Sequence, residues 1–516
     1  MYKSRLSFAS AKSKTRGQPQ TTKMEQAYKL ATQTLQGRLI APYQREGVMW
    51  LLWRELAASG PRGGFLCDEM GLGKTVQLIS TILGNPQNKT LVIVPKSIVN
   101  QWVEELDHFA PNLKVKVHEG STRTLDPENF NGFDVIVAPY SVLTNKARDR
   151  RVARSDTVLH KVTWDRVILD EGHEIRNPRS KLSMSIRALQ CRIRWVVSGT
   201  PVYNSIRDFV TLCDFVGIKK SLVLGFNKKI QDTYVMRRTK EDVANFNRRL
   251  TLPPCDFQNV ELEMYQEEEQ LYRDVFIESK GKIKTAVRSI EHAGMRTMAM
   301  LECLLRCRQA MIHPQLYLSG IARKNGNDPE DWESPCRKTE YLLESVLSHP
   351  KEKTLVFSQF VEEMDIYEEL FLENEVEIFR IDGSVSKEDR VEALRQFKKT
   401  SNQCVFLIQI KAGGQGLNIQ EATRVYITSP SWNPATELQA IARSHRTGQT
   451  QKVVVRKLMY GGSEDVPSVE HSIMSLQGHK AAVSAQVLND ERLIKVIPTK
   501  VKKGITVRDL RKIFQV

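Results

Sequence analysis

What most constrains this chain is a grammar that occurs twice: short runs of Val, Ile and Leu, each followed by a polar stretch with helical spacing. The first series is TLVIVP at 90, DVIVAP at 134, RVILDE at 166 and RWVVSGT at 194. The second is TLVFSQF at 354, EIFRIDG at 377, CVFLIQI at 404, RVYITSP at 424 and KVVVRKLM at 452. Continuous apolar runs separated by helices describe parallel strands buried on both faces, because each crossover lays a helix on the sheet. Two α/β lobes are expected. Between them, from 241 to 335, no strand run is evident and the sequence is helical and charged, as in EEEQLYRDVFIESKGK. That stretch ends in IARKNGNDPEDWESP, whose Gly, Asn, Asp and Pro read as a loop.

A chain of 516 residues, 41% hydrophobic and 26% charged, can bury sizeable cores and is neither disordered nor fibrous. Its longest uninterrupted apolar run is the six residues Val48 to Trp53, far below the roughly 18 that a membrane-spanning helix needs. No membrane association is expected. The formal charge of +16 is concentrated at the ends: residues 1 to 24 hold six basic and no acidic side chains, and residues 493 to 516 hold seven basic and one acidic. Basic arms of this kind add contacts to nucleic-acid phosphates. The C-terminal one has an alternative, because Ile505, Val507, Leu510, Ile513 and Phe514 could pack it as a helix on the second lobe. Eight cysteines are scattered without paired spacings and point to a reducing compartment. Cys303, Cys307 and His313 form the tightest grouping; without a second ligand pair they read as buried helix thiols rather than a zinc site.

Three segments carry chemistry. In FLCDEMGLGKTVQ an apolar strand end passes through Gly71 and Gly73 into a helix. Such glycines let backbone N–H groups curl around phosphate, while Lys74 reaches the β- and γ-phosphates and Thr75 offers its hydroxyl to Mg2+. The strict G-x-x-x-x-G-K-T pattern would need glycine at 68, where Asp68 stands. In RVILDE, Asp170 and Glu171 fall at the C-terminal edge of a parallel strand, where α/β sheets bind ligands. Asp170 suits the metal and Glu171 the attacking water of phosphate-anhydride hydrolysis; taken alone, the pair could equally cap the next helix. In SPSWNPATELQAIARSHRTGQ, Asn433 and Pro434 predict a helix start, and helical spacing would put Gln439, Arg443 and Arg446 on one side. Those arginines could stabilise transition-state charge at a γ-phosphate, or simply form a solvated face.

Taken in order, APYQREGVMWLL, DEMGLGKT, TLVIVPKSIVNQW, LDEGHEIRNP, SGTPVYNS, RRTKEDV, LPP, RQAMIHP, LVFSQF, RIDGSVSKEDR, AGGQGLN and SWNP with QAIARSHRTGQ resemble the Swi/Snf-like family of superfamily-two helicase-related ATPases. The resemblance runs from about 37 to 490. LDEGHEIRNP is similar to the repair branch typified by helicase-like transcription factor, whose members usually carry a RING finger that these cysteines cannot build. The resemblance implies two RecA-like parallel-sheet lobes with a helical inter-lobe insertion: a basic arm over 1–36, an ATP-binding lobe over 37–240, the insertion over 241–335, a second lobe over 336–492 and a basic tail over 493–516. It also implies ATP and Mg2+ as cofactors, with Gln44 reading adenine and Gly71, Gly73, Lys74 and Thr75 holding phosphate and metal. Asp170 and Glu171 become the hydrolytic pair, and Arg443 and Arg446 arginine fingers. Ser198, Gly199 and Thr200 of SGTP couple hydrolysis to lobe movement, and Pro95, Lys96 and Trp432 touch DNA. Ser198, Gln409, Ser429 and Ala442 depart from the residues usual in the family, and none of these removes a catalytic group. The implied activity is translocation on double-stranded DNA that displaces or remodels bound proteins such as nucleosomes or transcription and replication complexes. It would act in the nucleus or, for a viral protein, in the nucleus, cytoplasm or virion. The competing readings are a strand-separating DNA or RNA helicase and a catalytically weak DNA-binding scaffold.

Overall fold

The computed structural model describes residues 20–144, 157–199, 206–224, 228–244, 253–289, 292–410, 412, 417–446, 448–463, 465–488, 510, 511, 513, 514 and 516. The chain divides at Leu252 into two compact units, each built on its own parallel sheet.

The first unit contains strands β1 (Arg62–Leu66), β2 (Thr90–Val94), β3 (Val115–Val117), β4 (Val135–Pro139), β5 (Trp164–Asp170), β6 (Cys191–Val197) and β7 (Val235–Met236), in the order β3-β4-β2-β5-β6-β1-β7. Every pairing is parallel. β2 and β4 are buried at every position, as continuous apolar runs require when helices cover both faces. At one end of the sheet lies a buried charge network. Arg166 donates from Nε to Glu55 Oε1 at 2.7 Å, Trp195 Nε1 donates to the same oxygen at 2.8 Å, and Asn85 Nδ2 donates to Glu55 Oε2 at 2.7 Å. Three side chains thereby donate to the one carboxylate, and Arg166 also donates to Thr90 Oγ1 at 3.1 Å and Asn85 O at 2.7 Å, so both buried charges are satisfied. The basic arm expected over 1–36 is not all arm. Residues Gln20–Thr34 form a helix, because Met24, Ala27, Tyr28 and Ala31 recur at helical spacing and pack on Val48, Leu52 and the helix that follows the glycine loop.

The second unit contains β8 (Cys255–Leu262), β9 (Lys353–Ser358), β10 (Glu377–Ile381), β11 (Cys404–Gln409), β12 (Ala422–Ile427) and β13 (Val453–Tyr460), in the order β10-β11-β9-β12-β13-β8. β8 corrects the expectation that 241–335 holds no strand: it pairs with β13 over its whole length, from Cys255 opposite Val453 to Leu262 opposite Tyr460. It is an edge strand with Phe257, Gln258 and Asn259 exposed, so it never needed the apolar run that marks a central strand. Three helices follow β8, Gln266–Ser289, Ala293–Ile312 and Pro314–Asn325, packed around Tyr272, Phe276, Leu304 and Met311, and the chain from 327 to 335 is the expected loop. Leu510, Ile513 and Phe514 join this cluster, and the Phe514 ring stacks on Phe276 with centroids 5.3 Å apart. The end of the basic C-terminal segment is therefore packed, as its apolar spacing allowed. Cys303 and Cys307 are buried, and His313 caps the next helix by accepting from Gln315 N at 3.1 Å. Among the described residues no group of three or more His, Cys, Asp or Glu side chains is placed to hold a metal ion, and no helix is long and apolar enough to cross a membrane.

Candidate functional site

In the first unit, β1 ends at Leu66 and the chain turns through the glycine loop into the helix Lys74–Gly84. Gly73 sits at φ +72°, and a Cβ there would lie 2.6 Å from Gln44 Nε2, so both the backbone and the packing demand glycine. Gln44 is buried against the loop, with its Oε1 accepting from Ile40 N at 2.8 Å. Lys74 Nζ lies inside the curve of the loop, donating to Asp68 O at 3.0 Å and Glu69 O at 3.4 Å. Thr75 follows in the first helical turn, half-buried. The loop is braced from outside by Arg238, whose Nε donates to Asp68 Oδ1 at 3.0 Å and whose Nη2 donates to Asp68 Oδ2 and, at 2.8 Å, to Gln77 Oε1. Asp68, where the strict motif has glycine, is thus the buried counter-charge of Arg238. An interruption of a phosphate-binding pattern proves to be its structural anchor.

At the end of β5, both carboxylate oxygens of Asp170 are held: Oδ1 accepts from Glu171 N at 2.9 Å and Oδ2 from Trp102 Nε1 at 2.7 Å. Tyr140 Oη donates to the Asp170 carbonyl at 2.8 Å. Burial first, and then the charge of Glu171, push the Asp170 carboxyl up to about 6; the Trp102 hydrogen bond and the Lys74 ammonium oppose them. Glu171 stands at φ +50°, a left-handed conformation uncommon for a non-glycine residue. Its Oε2 is 3.2 Å from His173 Nδ1 and accepts from Ser198 Oγ at 3.5 Å, while His173 Nδ1 is 3.3 Å from Ser198 Oγ. The start of SGTP is thereby tied to the carboxylate pair. A Cβ at Gly172 would come within 2.7 Å of Val196 Cγ1, so only glycine lets β5 and β6 close at this point. Gly199 O accepts from Arg237 Nη1 at 3.4 Å, and Thr200 lies outside the described residues. Pro95 is buried at the end of β2, and Lys96 beside it is exposed with Glu119 3.8 Å away.

The first unit thus gathers Gln44, Gly73 and Lys74 at one loop, and Asp170, Glu171 and Ser198 at two adjacent strand ends. One carboxylate and one hydroxyl, from Asp170 and Thr75, suit a hard cation that takes its other ligands from water and phosphate. The quoted segments held Trp102, His173 and Arg238 without giving these residues a task, and Tyr140 stands just past the DVIVAP run. The signal was present for Trp102, since a buried indole N–H needs an acceptor.

In the second unit, Asn433 caps its helix as expected, accepting from Ala435 N at 3.2 Å, but the helix ends at Ile441. This corrects the expectation that helical spacing aligns Gln439, Arg443 and Arg446. Arg443 N bonds to Ala440 O at 3.1 Å and Ser444 N to Ile441 O at 3.2 Å, a tighter winding, while Ser444 Oγ turns to Ala422 O at 2.5 Å. The two arginines are nonetheless brought together, each donating from Nη1 to Leu417 O at 3.4 Å. Trp432, half-buried, lies in the loop before the helix.

Residues 43–224 and 227–316, over half of the chain, match the family described as SNF2-related domain. The chain belongs to the SNF2-related family. Residues 337–448 match the Helicase conserved C-terminal domain, and the two matches together make this SNF2-related protein a helicase-like, DNA-dependent ATPase. It is 29% identical to the Probable global transactivator of Orgyia pseudotsugata multicapsid polyhedrosis virus, covering 85% of this chain and 89% of that one. It is 27% identical to the DNA repair protein RAD5B of Arabidopsis thaliana, covering 84% of this chain and 46% of that one. Identity to the ISWI chromatin-remodeling complex ATPase ISW1 of Saccharomyces cerevisiae is 28%, covering 85% and 40%. The SNF2-related chain therefore spans most of the viral relative and less than half of these two cellular ones.

Proposed function

We propose that the protein is an ATP-driven translocase on double-stranded DNA that displaces or remodels proteins bound there. The observation that carries the reading is the Asp170 and Glu171 pair at a strand end, braced by Trp102, Tyr140 and Ser198, in a chain of the SNF2-related family. In this reading the phosphates of ATP rest on the backbone N–H groups of Gly71 to Thr75 and on Lys74, and Gln44 meets the adenine. Thr75 and Asp170 would hold Mg2+, which would supply charge neutralisation at the phosphates. Glu171 accepts the proton of the attacking water, and Arg443 and Arg446 stabilise the charge that develops on the transferred group. Ser198, bonded to Glu171 Oε2, and the following Gly199 and Thr200 communicate the state of the site, while Pro95, Lys96 and Trp432 meet DNA. Duplex DNA and its bound proteins as the target rest on the family and on the names of the relatives, one a chromatin-remodeling ATPase and one a DNA repair protein. The site of action is the nucleus or, in line with the viral relative, wherever a virus keeps its DNA.

The test compares ATPase stimulation by duplex DNA, single-stranded DNA and RNA, together with triplex displacement and forked-duplex unwinding. Duplex should stimulate most and triplex displacement should be positive with the fork intact; robust fork unwinding would make the protein a strand-separating helicase. Lys74→Ala should weaken ATP binding, whereas Arg446→Ala should leave binding intact and slow turnover roughly 10³-fold. Wild-type turnover by Arg446→Ala would remove that residue from the catalytic set.

A further inference from the structure

Arg308, on the helix Ala293–Ile312, is only 5% exposed, yet among the described residues it has no carboxylate within 4 Å. A guanidinium in such a place is costly unless its position serves something. Burial lowers its pKa, and the carboxylates of Glu470, Glu363 and Glu437 act on it only electrostatically, in the opposite direction. What it touches is the SWNP loop: Nη2 donates to Pro430 O at 3.0 Å, and Cζ stands 5.2 Å from the centroid of the Trp432 ring. Arginine is the cation suited to this double task, because its plane can lie on a ring while one N–H of its fork reaches a carbonyl.

The remainder of the loop is gripped from elsewhere. Gln359 Nε2 donates to Ser431 Oγ at 2.9 Å, and Ser431 N donates to Glu437 Oε1 at 2.7 Å, a carboxylate that Lys457 Nζ also meets at 2.8 Å. These contacts fix the backbone around Ser431 to the sheet and to the start of the helix Pro434–Ile441. Arg308 alone of this set comes from the helical stretch that follows β8, and it is the one that sits over the indole.

We propose that Arg308 is the positioning residue for Trp432: it sets the plane of the indole and ties the helix Ala293–Ile312 to the loop that presents it. A shift of that helix then changes how the loop offers its ring to DNA. The inference rests on the reading that Trp432 contacts DNA.

The experiment measures ATPase against duplex concentration and against ATP concentration for Arg308→Met, Arg308→Lys, Trp432→Ala and the double variant Arg308→Met/Trp432→Ala. Arg308→Met should raise the half-saturating duplex concentration by about tenfold, the scale of a desolvated cation–π contact, with the KM for ATP moving far less. Arg308→Lys, which keeps a cation over the ring but loses the planar fork, should recover part of this. The double variant should be no worse than Trp432→Ala alone, because a residue acting through Trp432 has nothing left to act on. Additive losses would overturn the proposal, as would a wild-type duplex requirement in Arg308→Met. If Trp432→Ala itself keeps the wild-type duplex requirement, the DNA-contact reading of Trp432 fails instead and takes the proposal with it. Should Arg308→Met not fold, Arg308→Lys against Arg308→Lys/Trp432→Ala gives the same additive or non-additive answer.

Discussion

Replacing Asp68 with glycine would complete the G-x-x-x-x-G-K-T pattern, and it should damage this protein rather than improve its nucleotide loop. The Asp68 carboxylate is fully buried and faces Arg238, itself 3% exposed. Removing one partner of a buried pair leaves the other charge uncompensated, at a cost of about 3–5 kcal/mol. Arg238 would keep Tyr43 O and Gln77 Oε1 as acceptors, and Gln77 Nε2 would keep Leu72 O and Gly73 O at 3.2 Å. Those remaining bonds place the expected loss at the lower end, about 3 kcal/mol. For a unit of this size each kcal/mol moves the melting temperature by about 2–4 °C, so Asp68→Gly should melt about 6–12 °C below wild type. Scanning calorimetry reads this directly. Asp68→Asn, which keeps an acceptor but not the charge, should fall between, and Asp68→Leu/Arg238→Met should recover much of the loss by removing both charges together. A melting temperature for Asp68→Gly within about 2 °C of wild type would refute the assignment of Asp68 as an anchor.

Trp102→Phe removes the donor to Asp170 Oδ2, one of the groups that holds that carboxyl down, so the acid limb of the ATPase pH profile should move up by about one unit; an unmoved limb would show that the indole does not tune Asp170. Burial holds His118 and His313 down to about 4. The unfolded chain therefore takes up these protons first, and stability is lost as pH falls from about 6.5 toward 4, by about 2 kcal/mol for each histidine at pH 5. Asp170, raised to about 6, works the other way over part of that range. Urea melts of His118→Gln between pH 7 and 5 should show a shallower fall than wild type, and an identical fall would count against a buried neutral His118. Phe514→Ala should cost about 3–5 kcal/mol in a thermal melt because its ring is buried on Phe276, and the salt dependence of DNA binding should not change; loss of salt dependence with an unchanged melt would make that end a DNA tether.

Nine strands from β2 to β13 were legible as apolar runs: the central ones because a strand covered on both faces must be apolar along its length, and β10, at the sheet edge, because EIFRI keeps three apolar residues. The glycine loop, Asp170 with Glu171, and the Asn433 cap were legible for a similar reason: a tight turn, a strand-end carboxylate pair and a helix start each depend on adjacent residues. β8 was not, since an edge strand with one solvated face is defined by its partner β13, about 200 residues away in sequence. The convergence of Arg443 and Arg446 was anticipated for the wrong local reason: helical spacing would have aligned them, whereas a broken helix and the Leu417 carbonyl bring them together. Asp68 in front of Arg238, Trp102 on Asp170, His173 between Glu171 and Ser198, and Arg308 over Trp432 are pairings of side chains remote in sequence or held at angles set by the turn. The sequence by itself determined most of the elements and the reactive groups, through short-range periodicity and the chemistry of single residues. Only the tertiary structure decided which buried charge meets which partner, because that choice is made where the chain closes on itself and a lone charge cannot be left out of water.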